Sequence, residues 1–505
     1  MSRTTNSLRN AGVSMAVQML DNLLHFACRT VFIHTLGKEY LGISSLYANV
    51  ITILSISELG FSTAVTYSLY DPLARDDRMA IRAIMSFFKT AYRVIGLAVL
   101  LLGLGLMPFL PKLMNGVTDQ VNIYHYYLLY LAETVVSYLF FAYKGTLLVA
   151  DQKKYAVDLI QCAAHILVAL VQICVLLVFK SFLVYTILSI AGHIVRNLTT
   201  AVAVDRRYPY LKEPAEKLSR QQKKDIFSRV YAAALYRVSY AVGTATDNLV
   251  ISSVVSVLAV GMYDNYHMIT QIVQKFLTGI FQAMSSSLGN LYATERREKS
   301  EYVFRCLNFL NNYLVVTCSV CFLSLFPGFI TLWAGPDYLL PDWVTVVIVA
   351  NFTTNYWQNV VQIFCNASGV FVRGKVRAVT NAVLNLGISI VLAHPLGIAG
   401  VLLGSIISRL LTTWWFDAWL VYRVGFGMSP WGYFRDCGVS VLLIAGCYGL
   451  VRLVMGWVTA ITWPTLILTA LAAAVIPTAV CWLLYHRSEE YAYLKNKALS
   501  ILKRK

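Results

Sequence analysis

Four stretches of this chain set polar side chains at helical spacing inside otherwise apolar runs. Gln18, Asn22, His25 and Arg29 fall at 0, 4, 7 and 11, with Asp21 beside them. Arg237, Tyr240, Thr244 and Asp247 fall at 0, 3, 7 and 10. His267, Gln271, Gln274, Thr278 and Gln282 recur at 0, 4, 7, 11 and 15, and so do Asn351, Asn355, Gln358, Gln362 and Asn366. Each set occupies one face of a helix. Five cations, Arg29, Arg196, Arg237, Lys275 and Arg409, also stand well inside apolar runs. Cations lining a wet cavity suit an anionic ligand, and a guanidinium can grip two phosphate oxygens at once. Asp21 precedes His25 by one turn and Arg29 by two, a spacing that fits an internal ladder as well as a ligand site. Glu58 and Glu133 could couple to protons or sodium, or pair structurally. His25, His193 and His267 could carry protons or simply hydrogen-bond. The plainer account of any one stripe is hydrogen bonding between helices, about 0.6 kcal/mol per contact. Four long stripes together favour a hydrated cavity instead.

Covalent chemistry has little to work with. Cys318 and Cys321 form a C-x-x-C, but inside the apolar run Leu314 to Phe326 and without the βαβ context of a redox motif. The ten cysteines read as packing residues, and no metal site or catalytic constellation emerges. A membrane glycosyltransferase, polymerase or ligase needs a sizeable outer loop with catalytic groups. The longest such loop here, Pro327 to Asp342, offers only Asp337 and Asp342.

The elements that must position the polar stripes are long apolar helices. Of 505 residues, 58% are hydrophobic and 13% charged, against about 25% charged in a typical soluble protein. Runs such as Leu97 to Leu110, Ile160 to Phe179 and Leu466 to Leu484 approach the roughly 20 residues that cross a hydrocarbon core as a helix. They exclude the alternation of a β-barrel. Fourteen spans are predicted, at 11–36, 42–68, 91–111, 123–149, 157–179, 182–204, 230–256, 259–290, 303–326, 343–367, 378–393, 399–422, 438–456 and 464–485. The first contains Asp21, His25, Arg29 and His34, so it reads as a polar spanning helix and not a cleavable signal. The net charge of +17 does not imply nucleic acid, because of where it lies. Assigned to alternate sides, 30 of the 42 Lys and Arg residues share the side of the N-terminus, and only Lys38, Lys112 and Lys180 fall opposite. That asymmetry predicts cytoplasmic N- and C-termini.

The stretch Asp205 to Arg229 is the longest polar one and reads as a basic linker. On either side the chain resembles itself. Arg196-Asn197-Leu198-Thr199-Thr200 and Arg409-Leu410-Leu411-Thr412-Thr413 share R-x-L-T-T at an offset of 213. Gly42 and Tyr47 match Gly261 and Tyr266 at an offset of 219. Both units start on the same side, as in parallel transporter repeats. The predicted fold is therefore an all-α integral membrane protein with fourteen transmembrane helices. Two pseudo-symmetric six-helix lobes (1–204 and 230–422) flank the linker 205–229, followed by a helix pair (423–485) and a tail (486–505).

Arg29 to Ile43 (RTVFIHTLGKEYLGI), Glu58-Leu59-Gly60 and Leu69-Tyr70-Asp71-Pro72 resemble the opening of the polysaccharide-transporter branch of the MOP flippase superfamily. Thr246 to Ser252, Val260 to Tyr266, Ser287 to Asn290, Leu332 to Gly335 and Gly397 to Ser408 resemble its second half. The resemblance covers nearly the whole chain. It implies two six-helix lobes around a V-shaped cavity, and flipping of polyprenyl-diphosphate-linked oligosaccharide to the outer leaflet of the cell membrane by alternating access. It also implies cationic cavity residues on the diphosphate. The expected substrate-binding set is Arg29, Arg237, Lys275 and Arg409. Asn22, His25, Asp21, Asp247, His267, Gln271, Gln274 and Gln358 are the expected polar lining, and Glu58 and Glu133 the candidates for H+ or Na+ coupling. No other cofactor, no nucleic acid and a monomer among membrane lipids are expected. Flipping of a teichoic-acid or peptidoglycan precursor is the nearest alternative. A multidrug or cation antiporter is less consistent with cavity cations and the extra helix pair.

Overall fold

A computed structural model of the chain describes residues 3–55, 61–115, 122–228, 230, 246–294, 297–367, 375–458 and 460–502. Every regular element among the described residues is helical. The principal helices are α1 (Arg3–Leu54), α2 (Phe61–Ala74), α3 (Arg78–Leu106), α4 (Ile123–Leu139), α5 (Gly145–Ala150), α6 (Lys154–Phe179) and α7 (Phe182–Arg207). After the linker come α8 (Val257–Thr294), α9 (Arg297–Trp333), α10 (Asp342–Trp357), α11 (Asn359–Ala367) and α12 (Lys375–Arg409). The series ends with α13 (Trp415–Trp419), α14 (Trp431–Met455), α15 (Trp463–Tyr485) and α16 (Glu489–Leu502).

Local chemistry sets many of these boundaries. The side chains of Asp77, Asn122 and Ser181 accept from the backbone N–H groups of Ala80, His125 and Val184, capping α3, α4 and α7. Thr462 and Thr465 form a reciprocal capping box at the start of α15, with proline in the first turn. Two predicted inter-span breaks fall at glycines inside continuous helical stretches. Gly37 (φ 80°) interrupts α1 between the first two predicted spans, and Gly397 (φ 56°) interrupts α12 between the eleventh and twelfth. Both sit in the left-handed region that a Cβ disfavours.

Other predicted spans are less regular than their sequences suggest. The fourth breaks at Phe141 (φ 60°) between α4 and α5. The tenth breaks after Trp357, and the twelfth runs on through π-helical turns at Leu410–Trp414 and Leu420–Phe426. Periodicity in sequence does not register such breaks, because the polar spacing continues across them.

Seven stretches among the described residues are long and apolar enough to cross a membrane, with mean hydropathy between 1.4 and 2.6. Their outer faces are bare hydrocarbon: Val178 and Leu453 are each 72% exposed. In water such faces would aggregate; in lipid they need no cover. The chain is a multi-pass helical membrane protein.

The chain divides into two compact units, Met1–Gly261 and Met262–Lys505, so the division falls inside α8, downstream of the basic linker. In the first, α1 packs along α6, α6 on α7, and α4 on both α3 and α7. Aromatic rings fill the interior, with Phe32 edge-on to Phe182 at 5.8 Å and Tyr47 against Tyr127 at 5.6 Å. In the second, α9 is the hub, packing against α10, α14 and α15. Phe304 meets Phe364 and Tyr422 edge-on at 4.8 and 5.3 Å.

One backbone approach in the first unit demands glycine. A Cβ on Gly42 would lie 2.1 Å from the carbonyl oxygen of Val257, and one on Gly261 would lie 2.7 Å from that of Lys38. These are the two glycines that match in the sequence repeat. Gly42→Ala is expected to destabilise the protein by at least 1–3 kcal/mol, the usual scale of overpacking. Gly279→Ala, where a Cβ meets nothing within 4 Å, is expected to be neutral. Thermal unfolding of the two purified variants checks this; equal midpoints would contradict it.

Candidate functional site

In the first unit, the polar stripe of α1 is only partly enclosed. Gln18 and His25 are exposed, while Asn22 and Arg29 are half-buried. Asp21 turns to α6, where its Oδ1 lies 2.9 Å from His165 Nδ1. A second carboxylate–histidine pair joins α4 to α7, Glu133 Oε1 to His193 Nε2 at 2.9 Å. Arg196, one turn beyond His193, is attracted by both Glu133 and Asp21. These groups form a ramified set of charges of both signs across α1, α4, α6 and α7. Glu133 and His193 also line a 290 Å³ cavity with Thr52, Ser55 and Ser137. Asn197 donates from Nδ2 to the Ser137 carbonyl at 3.2 Å.

His165 escaped the sequence reading because nothing local marks it. It is one histidine in an apolar run, 144 positions from Asp21. The only available signal was that an ionisable group inside a span needs a partner. Lys144, near the end of the fourth predicted span, places its Nζ 2.6 Å from the Asp205 carboxylate.

In the second unit, α8 carries a string of polar contacts. The Tyr263 hydroxyl lies 3.3 Å from His267 Nδ1, and Gln271 Nε2 lies 3.4 Å from His267 Nε2. Gln274 is half-buried one turn further on, beside an exposed Lys275. Asp264 lies one turn before His267 on α8 and Lys275 about two turns after it. Lys275 has no ion-pair or hydrogen-bond partner among the described residues. Arg409 is in a different situation. It donates to Thr354 Oγ1 at 2.7 Å, to Asn351 Oδ1 at 3.1 and 3.2 Å, and to the Asn351 carbonyl at 3.2 Å. Its guanidinium is therefore engaged within the unit, with Asn351 from the tenth-span stripe. Gln358 sits at the bend between α10 and α11, 2% exposed, with no donor to its Oε1 among the described residues. The tenth-span stripe thus divides: Asn351 meets Arg409, Gln358 is buried, and Asn355 and Gln362 are exposed.

Asp247 is half-buried on the short helical stretch that follows residue 245. Arg237 and Glu58 lie outside the described residues.

The two units repeat a device. In the first, the Tyr47 hydroxyl donates to the carbonyl of Ile123, where α4 begins, at 2.6 Å. In the second, the Tyr266 hydroxyl accepts from the N–H of Leu340, just before α10, at 3.0 Å. Both tyrosines are fully buried.

Long apolar helices with bare outer faces, enclosing ionisable groups, define a polytopic membrane protein. Residues 7–285 match the polysaccharide biosynthesis protein family. The chain belongs to that family. Its fold is similar to that of the lipid II flippase MurJ in an inward closed conformation, with a TM-score of 0.69 and 13% identity over 94% of this chain and 98% of that one. It is also similar to an inward-facing multidrug resistance MATE family transporter of the MOP superfamily, with a TM-score of 0.62 and 14% identity over 85% of this chain and 98% of that one. Comparison with curated proteins gives no match.

Proposed function

We propose that the protein flips a polyprenyl-diphosphate-linked oligosaccharide, a polysaccharide repeat unit, from the inner to the outer leaflet of the cytoplasmic membrane. In this reading fourteen spans form two six-helix lobes with a C-terminal helix pair, both termini are cytoplasmic, and access alternates between leaflets. The observation that carries it is Lys275, a cation on the polar face of α8 that no described carboxylate neutralises. Family membership supports a glycan cargo. Arg29 on α1 and Arg237 are the further cations assigned to the diphosphate. Arg409, already held by Asn351 and Thr354, contributes its field more than its hydrogen bonds. Two or three converging cations offset the desolvation of a diphosphate without caging it, which release requires. Glu133, paired with His193, is the group assigned to ion coupling.

A peptidoglycan-precursor cargo is the second reading, favoured by the fold shared with a lipid II flippase. Depleting the protein and identifying by mass spectrometry the lipid-linked intermediate that accumulates separates the two. A polyprenyl-diphosphate oligosaccharide is expected. Accumulation of lipid II would favour the second reading, and no accumulation of any lipid-linked saccharide would overturn both.

A further inference from the structure

We propose that the second unit holds a structural phospholipid with a primary-ammonium headgroup, of the phosphatidylethanolamine type, where α9, α14, α15 and α16 meet. The proposal is independent of the transported cargo and needs only that the chain spans a membrane. Two adjoining spaces make the site. One is a polar pocket of about 340 Å³ lined by Glu301, Arg305, Asn308, Arg435, Asp436 and Glu490. The other is an apolar groove of about 800 Å³ lined by Leu310, Ala474, Val475, Trp482, Leu494 and Leu499. Phe309, Tyr313 and Cys481 belong to both walls, so a molecule with a polar head and a hydrocarbon tail can occupy the two together.

The pocket's charges select the head. Arg305 Nε bonds Glu301 at 3.1 Å, and Arg435 bonds Asp436 at 3.1 Å. Glu490 is the third carboxylate. It has no cationic partner among the described residues and repels Asp436. The pocket therefore carries one negative charge in excess. It also contains two acceptors without donors: Asn308, 3% exposed, and Asn312 each present a buried Oδ1 that receives no hydrogen bond among the described residues. A buried amide oxygen without a donor has given up its hydrogen bond to water and gained none in return. A primary ammonium supplies three donors and one positive charge, which meets both needs. A trimethylated ammonium has the charge but no donors, and a glycerol head has donors but no charge. Arg305 and Arg435 keep N–H groups beyond those spent on Glu301 and Asp436, and these suit the lipid phosphate. α16 closes the groove, with Lys495 on its wall.

The test uses the full-length protein, delipidated in detergent, with native mass spectrometry of lipid adducts. Phosphatidylethanolamine is expected to be retained at least tenfold more tightly than phosphatidylcholine or phosphatidylglycerol of the same chains. Glu490→Gln, isosteric and half-buried, is expected to remove that preference while leaving residual tail binding. Equal retention of the three lipids by the native protein would overturn the proposal, and so would an unchanged preference in Glu490→Gln. Equal binding of free O-phosphoethanolamine, which has no tail, would overturn the assignment to a lipid.

Discussion

Asp417→Ala is expected to lower the stability of the second unit by about 3–5 kcal/mol, the usual cost of removing one partner of a buried ion pair. Asp417 is 1% exposed and pairs with the Arg377 guanidinium, whose side chain is only 19% exposed. The pair joins the start of α12 to α13, just beyond the π-helical turn Leu410–Trp414. Cys365 of α11 packs there too, its thiol 3.9 Å from the Asp417 carbonyl. Without Asp417, a largely buried guanidinium loses its carboxylate partner. Replacing both partners, as in Arg377→Met with Asp417→Leu, is expected to recover most of the loss, because the desolvation cost of both ions disappears together. Thermal unfolding of purified single and double variants measures this. A double variant no better than Asp417→Ala would show that the pair does more than neutralise itself. Asp417→Asn, which keeps the shape and one acceptor, is expected to fall between native protein and Asp417→Ala.

Neither partner of that pair was singled out in the sequence, and the reason is physical. Arg377 stands at the start of a predicted span, where a cation reads as snorkelling to the surface. Asp417 stands among Trp414, Trp415, Phe416 and Trp419, which look like an aromatic belt at a membrane edge. What brings them together is the fold of α12 onto α13, a contact between residues 40 positions apart. Asp21 and His165 were half-legible for the same reason: a sequence shows that an intramembrane carboxylate needs a partner, not which helix supplies it. The helical class, the breaks at Gly37 and Gly397 and the matched glycines Gly42 and Gly261 were legible, because each follows from local composition or from a repeated spacing; the family was legible in the motifs that resemble it. The bends after Leu139 and Trp357 were not. Polar residues there keep the 3.6-residue rhythm while the backbone departs from it, so the Asn351 to Asn366 stripe reads as one face and folds as several environments.

The largest functional effect is expected from the cations assigned to the substrate. Under the proposed function, Arg29, Arg237 and Lys275 together hold the substrate diphosphate. A hydrogen bond to a charged group is worth about 1.5–3 kcal/mol, so each cation removed should cost roughly tenfold to a hundredfold in transport. The triple alanine variant is then expected to abolish saccharide export in cells at matched protein levels. Arg237→Lys, which keeps charge but loses the fork that grips two oxygens, should impair export partially, and Arg237→Ala severely. Arg409→Ala provides a contrast. Its guanidinium is already committed to Asn351 and Thr354, so its loss should lower thermal stability and protein level more than export per molecule. Arg93→Ala, near a predicted membrane edge, should be mild by both measures. Normal export by the triple variant would sink the diphosphate assignment. It would leave Arg29 and Lys275 as parts of the scaffold.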